Sequence, residues 1–274
     1  MTLHDIHKPL SDRVPIDKVP IEWECSGYTT EAFSRWVEDP NFSGLPGDLD
    51  TEEEVRVMVG LLKPQPGDSL LDIACGYGRH ALVFADQYNL RVTGIDISPA
   101  LIAAARKFAK EKGAEITYEA KQSKELAWVE AFDLAMIAFN SFSLFSPEDA
   151  PIVLKGLHQA LRPGGRFFLD LDNKLFNCRY GTSDTNWVVW SGGLTLQEIY
   201  FHEDLSVEVG RDLCFETGTE EMAEFTTFKR IYTLDEISDL LSSHGFHIDQ
   251  IYGDWDLSSL DESSPKMIMV CLKE

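Results

Sequence analysis

One stretch, Leu71-Asp72-Ile73-Ala74-Cys75-Gly76-Tyr77-Gly78-Arg79-His80, constrains this chain more than any other. It follows the turn-rich run Lys63 to Asp68. An apolar run from Ser69 to Ile73 reads as a buried strand, and His80 to Ala85 read as the start of a helix. A strand that ends in an acid, a Gly-x-Gly turn and then a helix bring backbone close to a nucleoside ligand in α/β proteins. About twenty residues further on, a second strand from Arg91 to Ile95 ends in another acid, Asp96.

Gly76-x-Gly78-x-x-Ala81 also fits the relaxed dinucleotide fingerprint G-x-G-x-x-A. Two residues argue against a pyrophosphate here. Asp72 sits at the strand end, where it would repel phosphate. Arg79 sits in the first helical turn, where a cation opposes the helix dipole and calls for a carboxylate partner. A ligand with an ammonium, a carboxylate and a sulfonium suits this mixture better. An NAD(P)-dependent oxidoreductase stays as the alternative reading, beside a non-catalytic cofactor-binding scaffold.

Strand and helix patterns alternate along the chain. Thr51 caps a helix with Glu52, Glu53 and Glu54 at its positive end. Ser98-Pro99 opens a helix that stops near Gly113. Strands follow at Ile116–Glu119 and Phe132–Phe139, then a helix from about Pro147 to Leu161 and a strand at Arg166–Leu171. The alternation predicts a doubly wound, mostly parallel Rossmann-like sheet. Residues 185–232 break it: closely spaced β-rich runs separated by turn residues predict an inserted antiparallel sheet. Thr233-x-x-Glu236 then forms a capping box, and the parallel pattern is expected to resume through strands His247–Tyr252 and Lys266–Leu272. The expected domains are a proline-punctuated arm or lid (1–50), a cofactor-binding unit (51–184 and 233–274) and the insertion (185–232).

Lys and Arg number 24 against 46 Asp and Glu, a formal charge of -22 that repels nucleic acid. The five cysteines are scattered without a C-x-x-C pair, so neither a disulfide framework nor a metal site is expected, and a reducing cytoplasm is. The N-terminal residues lack a signal-peptide pattern, and no apolar run approaches the roughly 20 residues of a membrane helix.

Taken in order, five landmarks resemble class I S-adenosylmethionine-dependent methyltransferases: Leu71-Asp72-x-x-Cys75-Gly76-x-Gly78-Arg79, Gly94-Ile95-Asp96-Ile97-Ser98, Phe132-Asp133-Leu134, Leu161-Arg162-Pro163-Gly164-Gly165, and Tyr232-Thr233-Leu234-x-Glu236 with Gly245-Phe246. Phe139 to Phe145 and the insertion look like the branch that methylates small-molecule amines. The resemblance implies S-adenosylmethionine as cofactor, held by Asp72, Ala74, Gly76, Gly78, Arg79, Asp96, Ile97, Gln122, Ser123 and Phe139. Asp72 and the glycine backbone would hold the methionine part, Asp96 the ribose hydroxyls and Ile97 the adenine. Gln122 stands where the family carries an acid for the adenine amino group; its amide oxygen can accept the same bond.

Asp170 and Asn140 are the candidate catalytic residues. Tyr28, Phe142, Asp172 and His202 are candidates for binding the acceptor. Asp170 and Asp172 share one face of their strand by the period of two, to bind the acceptor (anchoring its cation or accepting its proton) or to cap a nearby turn. No basic residue is evident beside them, which favours a neutral or cationic amine, or a neutral hydroxyl, as the small-molecule acceptor. The aromatic-rich insertion is expected to cover the acceptor or to form a homodimer contact.

Overall fold

The computed structural model describes Trp23 and residues 51–274, apart from 182, 191 and 219–221. The expected arm, with Tyr28, therefore lies outside the described residues, Trp23 excepted. Helix α1 (Thr51–Leu62) leads into strand β1 (Ser69–Ile73), α2 (Arg79–Tyr88), β2 (Arg91–Asp96), α3 (Pro99–Lys112) and β3 (Thr117–Ala120). Next come β4 (Phe132–Ile137), α4 (Asp149–Ala160) and β5 (Leu161–Asp172). A short helix α5 (Lys174–Tyr180), which the sequence pattern did not signal, precedes β6 (Ser183–Trp190), β7 (Gly193–His202), β8 (Val207–Glu216) and β9 (Met222–Arg230). Helix α6 (Leu234–Ser242), β10 (Phe246–Tyr252) and β11 (Lys266–Lys273) complete the order.

Seven strands form one sheet in the order β10-β11-β5-β4-β1-β2-β3, and β6-β7-β8-β9 form a separate antiparallel sheet. Strands β1 to β5 pair in parallel, while β11 runs antiparallel to both β5 and β10. The parallel pattern expected at the C-terminal end is thus corrected at β11. A parallel return needs a crossover of a dozen or more residues, usually helical; no helix separates β10 from β11, so the chain turns straight back.

Apolar residues on successive strand positions bury to opposite faces. Leu70, Leu134 and Met136 pack with Val55, Met58 and Leu62 of α1 and Phe84 of α2. Leu71, Ala135 and Ile137 pack instead with Val153 and Leu157 of α4 and Ile237 and Leu241 of α6. Both faces are covered, as a parallel sheet requires. Ser98 caps α3 at Leu101 N with proline at its first turn, and the capping box of Thr233 and Glu236 opens α6, each as the sequence predicts.

The four-stranded sheet joins the larger one beside Asn173. Asn173 bridges to Tyr232, the Lys174 amide donates to Tyr232 O at 3.2 Å, and Asn173 Nδ2 donates to Ser264 O at 2.9 Å. The insertion therefore leaves and rejoins beside the carboxyl end of β5. Trp23 packs on Val207, Val209 and Phe228 of this sheet.

Candidate functional site

Strand order reverses between β1 and β4, and in open α/β sheets the crevice at such a point takes the ligand. Every polar candidate on the parallel sheet stands at its carboxyl edge. Asp72 is 2% exposed, and its Oδ2 has no hydrogen-bond partner among the described residues. Burial, with the neighbouring Asp96 carboxylate, pushes its carboxyl well above the usual range, while Arg79 opposes the shift. A buried, unpaired carboxylate oxygen costs about 1–3 kcal/mol or more. Such a group is tolerated where a ligand's cation completes it.

The turn that follows is built on left-handed backbone: Ala74 has φ 59°, Gly76 56° and Gly78 78°. A Cβ at Gly76 would meet nothing within 4 Å, so that backbone faces open space. Gly78 is a glycine for a second reason, because a Cβ there would lie 2.3 Å from Tyr118 Oη. Tyr118 also covers Gly94, and neither contact was readable from local pattern.

Asp96 is 7% exposed and already holds the loop: Oδ2 accepts from Gly76 N at 2.9 Å and Oδ1 from Ser98 N at 2.8 Å. Burial raises its carboxyl, and these two amide bonds counter it. Each oxygen keeps a lone pair for a further donor. Ile97, beside it, is 44% exposed, an apolar surface at the mouth of the crevice. Gln122 is exposed with a free side-chain amide among the described residues, and Ser123 opens a short 3-10 turn after it.

Arg79 has the carboxylate partner its position calls for. Its Nη1 pairs with Glu54 of α1 and donates to Thr51 Oγ1 at 3.1 Å, and its guanidinium lies 4.9 Å from the Phe139 ring centroid. Glu54 is 1% exposed and also meets His80 Nε2 at 2.7 Å. Against the cost of burial, His80 and Arg79 lower its carboxyl. Sequence reading took Glu54 for a dipole-side acid; the buried stripe of α1, which includes it, was the available signal.

Strand β4 ends at Ile137, short of the expected Phe139. Phe139 (φ 59°) and Asn140 (φ 57°) instead form a left-handed turn. Asp170 shapes it: Oδ1 accepts from Phe139 N at 2.5 Å and Oδ2 from Asn140 N at 3.1 Å. Of the two roles open to Asp170, the geometry shows the cap of a backbone turn. Burial pushes its carboxyl up to about 6. Phe139 is 44% exposed, just past the end of β4.

Asn140 is buried, and its side chain is committed. Nδ2 donates to Asp172 Oδ2 at 2.5 Å, while Oδ1 accepts from Ser143 Oγ at 2.7 Å and Asp172 N at 3.2 Å. Asp172 Oδ1 meets Lys266 Nζ at 2.7 Å. Against burial, Lys266 and then Lys229 hold Asp172 below the ordinary carboxylate value. The expectation that no basic residue stands here is corrected: β11 and the insertion each bring a lysine that lies far away in sequence.

Two acceptor candidates do not join this group. Phe142 is fully buried, packed at 5.6 Å on Phe145 and 5.9 Å on Tyr232, and so belongs to the core. His202 ends β7, its Nε2 buried without a partner and its ring 4.7 Å from that of Tyr200. Strand register puts His202 with Val207 and Arg230 on one sheet face and Lys229 with Glu208 and Phe201 on the other. Of His202 and Lys229, it is Lys229 that acts on Asp172. Among the described residues no His/Cys/Asp/Glu group could hold a metal, and no helix is long and apolar enough to cross a membrane.

Residues 70–165 match the family described as a methyltransferase domain. An O-methyltransferase of Pyrenophora dematioidea is 30% identical over 138 residues, covering 47% of this chain and 48% of that protein. The chain thus spans about half the length of this curated relative. In fold it is similar to the CcbJ methyltransferase of Streptomyces caelestis (TM-score 0.74, 18% identity, 90% of this chain and 97% of that one). It is also similar to CalS10, an amino pentose methyltransferase from Micromonospora echinaspora solved with S-adenosylmethionine bound (TM-score 0.64, 17% identity, 83% and 93%). In fold the chain is similar to S-adenosylmethionine-dependent methyltransferases, and the match to a methyltransferase domain lies within that fold, at residues 70–165.

Proposed function

We propose that this chain transfers a methyl group from S-adenosylmethionine to the nitrogen of a small-molecule amine. The observation that carries the reading is the unpaired, buried Asp72 carboxylate oxygen beside the open Gly76 backbone at the switch point. S-adenosylmethionine supplies an electrophilic methyl on its sulfonium. Around it, Asp72 would take the ammonium of the amino-acid end, and Gly76 and Gly78 would let backbone approach it. Asp96 would accept the ribose hydroxyls through its remaining lone pairs. Ile97 would cover adenine, with Gln122 and Ser123 at its edge, and Phe139 and Asn140 would border the transferred methyl. A dinucleotide fits less well, since its pyrophosphate would meet two buried carboxylates, Asp72 and Asp96.

In-line displacement draws most of its rate from proximity and alignment. The chain's part is to hold the Phe139–Asn140 turn rigid, which Asp170 and Asp172 do through four hydrogen bonds, with Ser143 adding one to the Asn140 side chain. Positive charge moves toward the acceptor during transfer; Asp170 and Asp172 favour that movement, and Lys266 and Lys229 offset part of it at Asp172. Nitrogen is preferred because CalS10, similar in fold, acts on an amino pentose. The insertion would cover the acceptor from the side of Lys229, which acts on Asp172 and pairs with Glu208 at 2.9 Å. Its edge strand β6 exposes Trp187 (65%) and Val189 (67%), the surface assigned to a homodimer contact. The free cysteines suit a reducing cytoplasm.

A radiolabelled methyl donor with a panel of amines and alcohols tests the reading. Incorporation into amines, rising with pH through the acceptor's own pKa, supports it. Incorporation only into hydroxyl acceptors moves the assignment to oxygen, and none on any acceptor favours the scaffold.

A further inference from the structure

We infer that Glu54 is a positioning residue for the cofactor's amino-acid end, acting through Arg79; the inference rests on the cofactor reading above. Arg79 occupies the first turn of α2, directly after Gly78. A cation there opposes the helix dipole, so local energetics alone would not keep it. Glu54 and Thr51 of α1 hold it from one side, both through Nη1. The guanidinium carbon lies over the Phe139 ring, 4.9 Å from its centroid. Among the described residues no hydrogen bond reaches Nε or Nη2. These two nitrogens form the side-on fork that binds a carboxylate in bidentate fashion. The side chain is 21% exposed, so it is not sealed in the core.

The position of the fork gives it meaning. Arg79 acts electrostatically on Asp72, whose own oxygen lacks a donor. Together they present one unsatisfied acceptor and one unsatisfied pair of donors in the same crevice, complementary to the ammonium and carboxylate of an α-amino acid. Glu54 touches neither group of the ligand. It neutralises the buried side of Arg79 and fixes the direction of the fork, and it is itself fixed by His80 from the next position of α2. Burial at 1% exposure leaves Glu54 no freedom to follow Arg79 if the guanidinium turns away. A long side chain without that anchor would sample many rotamers, and binding would bear the cost of ordering it.

Calorimetry with two ligands separates this role from a merely structural one. S-adenosylhomocysteine carries the amino-acid end, whereas 5′-methylthioadenosine lacks it. Glu54→Gln should weaken S-adenosylhomocysteine by about tenfold or more, as loss of one charge-assisted interaction implies, and leave 5′-methylthioadenosine within about twofold. Arg79→Gln should show the same ligand-selective loss. Thr51→Val removes only the neutral anchor, keeps the ion pair, and should lower S-adenosylhomocysteine affinity by about twofold to threefold. Should Glu54→Gln fail to fold, the Thr51 and Arg79 variants carry the test with the same two ligands. Equal losses for both ligands, or no loss for either, would overturn the inference. Failure of the unaltered protein to bind either ligand would overturn the cofactor reading itself, a separate outcome.

Discussion

Asp170 and Phe139 are 31 residues apart in sequence, yet the Asp170 carboxylate accepts the Phe139 backbone amide at 2.5 Å. The same carboxylate takes the next amide, of Asn140, at 3.1 Å. Two consecutive non-glycine residues are thereby held in left-handed backbone at the end of β4, at a conformational cost of about 1–2 kcal/mol each. The turn aims the Phe139 ring at the crevice and the Asn140 side chain at Asp172.

Asp170 should leave a signature in stability against pH. Burial raises its folded-state carboxyl to about 6, above the ordinary 3.8. Below about pH 4 it is protonated in both states. As pH rises from about 4 to about 6 the unfolded chain releases the proton first, so this residue makes the fold less stable; above about 6 its effect is constant. Relative to Asp170→Asn, the unaltered protein should therefore lose about 2–3 kcal/mol across that window. Urea denaturation at a series of pH values measures the difference. A difference that stays flat, or rises with pH, would show that Asp170 is not held as described.

Gly76 and Gly78 should respond differently to alanine. Both are left-handed, at an expected cost of about 1–2 kcal/mol. Only Gly78→Ala also meets Tyr118, with its new Cβ 2.3 Å from Oη, so overpacking adds about 1–3 kcal/mol more. Gly76→Ala should remain folded but bind S-adenosylhomocysteine weakly, because its Cβ enters the space left for the ligand. Denaturation and calorimetry on the two variants check the contrast; unimpaired binding by Gly76→Ala would put the ligand elsewhere.

Much of this was legible in the sequence where the determinants are local. The apolar runs of β1, β2 and β4, the Ser98-Pro99 start and the Thr233–Glu236 box each depend on neighbours a few residues away. The carboxylates Asp72, Asp96, Asp170 and Asp172 could be placed at strand ends for the same reason. What escaped reading is set over long range. Phe139 has strand-like composition, but its backbone is decided by Asp170 on the neighbouring strand. Lys266 meets Asp172 across 94 residues, and Glu54 meets Arg79 across 25. No periodicity reports such pairings. The direction of β11 escaped because a strand's own pattern carries no sign of which way its neighbour runs.

Asp96→Ala should weaken S-adenosylhomocysteine binding by about 2–4 kcal/mol, since charge-assisted bonds to the ribose disappear. Part of that loss comes from the protein itself, because Gly76 N loses its acceptor. Asp96→Asn keeps an oxygen for one amide and should fall between the two. Unchanged affinity in a folded Asp96→Ala protein would remove the residue from the site.

If Asp72 takes the ammonium of S-adenosylmethionine, one titration reports it. Calorimetry of the unaltered protein and Asp72→Asn should be run against S-adenosylhomocysteine and NADPH. The account predicts binding of S-adenosylhomocysteine, loss of about 2 kcal/mol or more in Asp72→Asn as a charge-assisted bond becomes a neutral one, and no binding of NADPH to either protein. Binding of NADPH by the unaltered protein, or equal S-adenosylhomocysteine affinity in a folded Asp72→Asn, would contradict it.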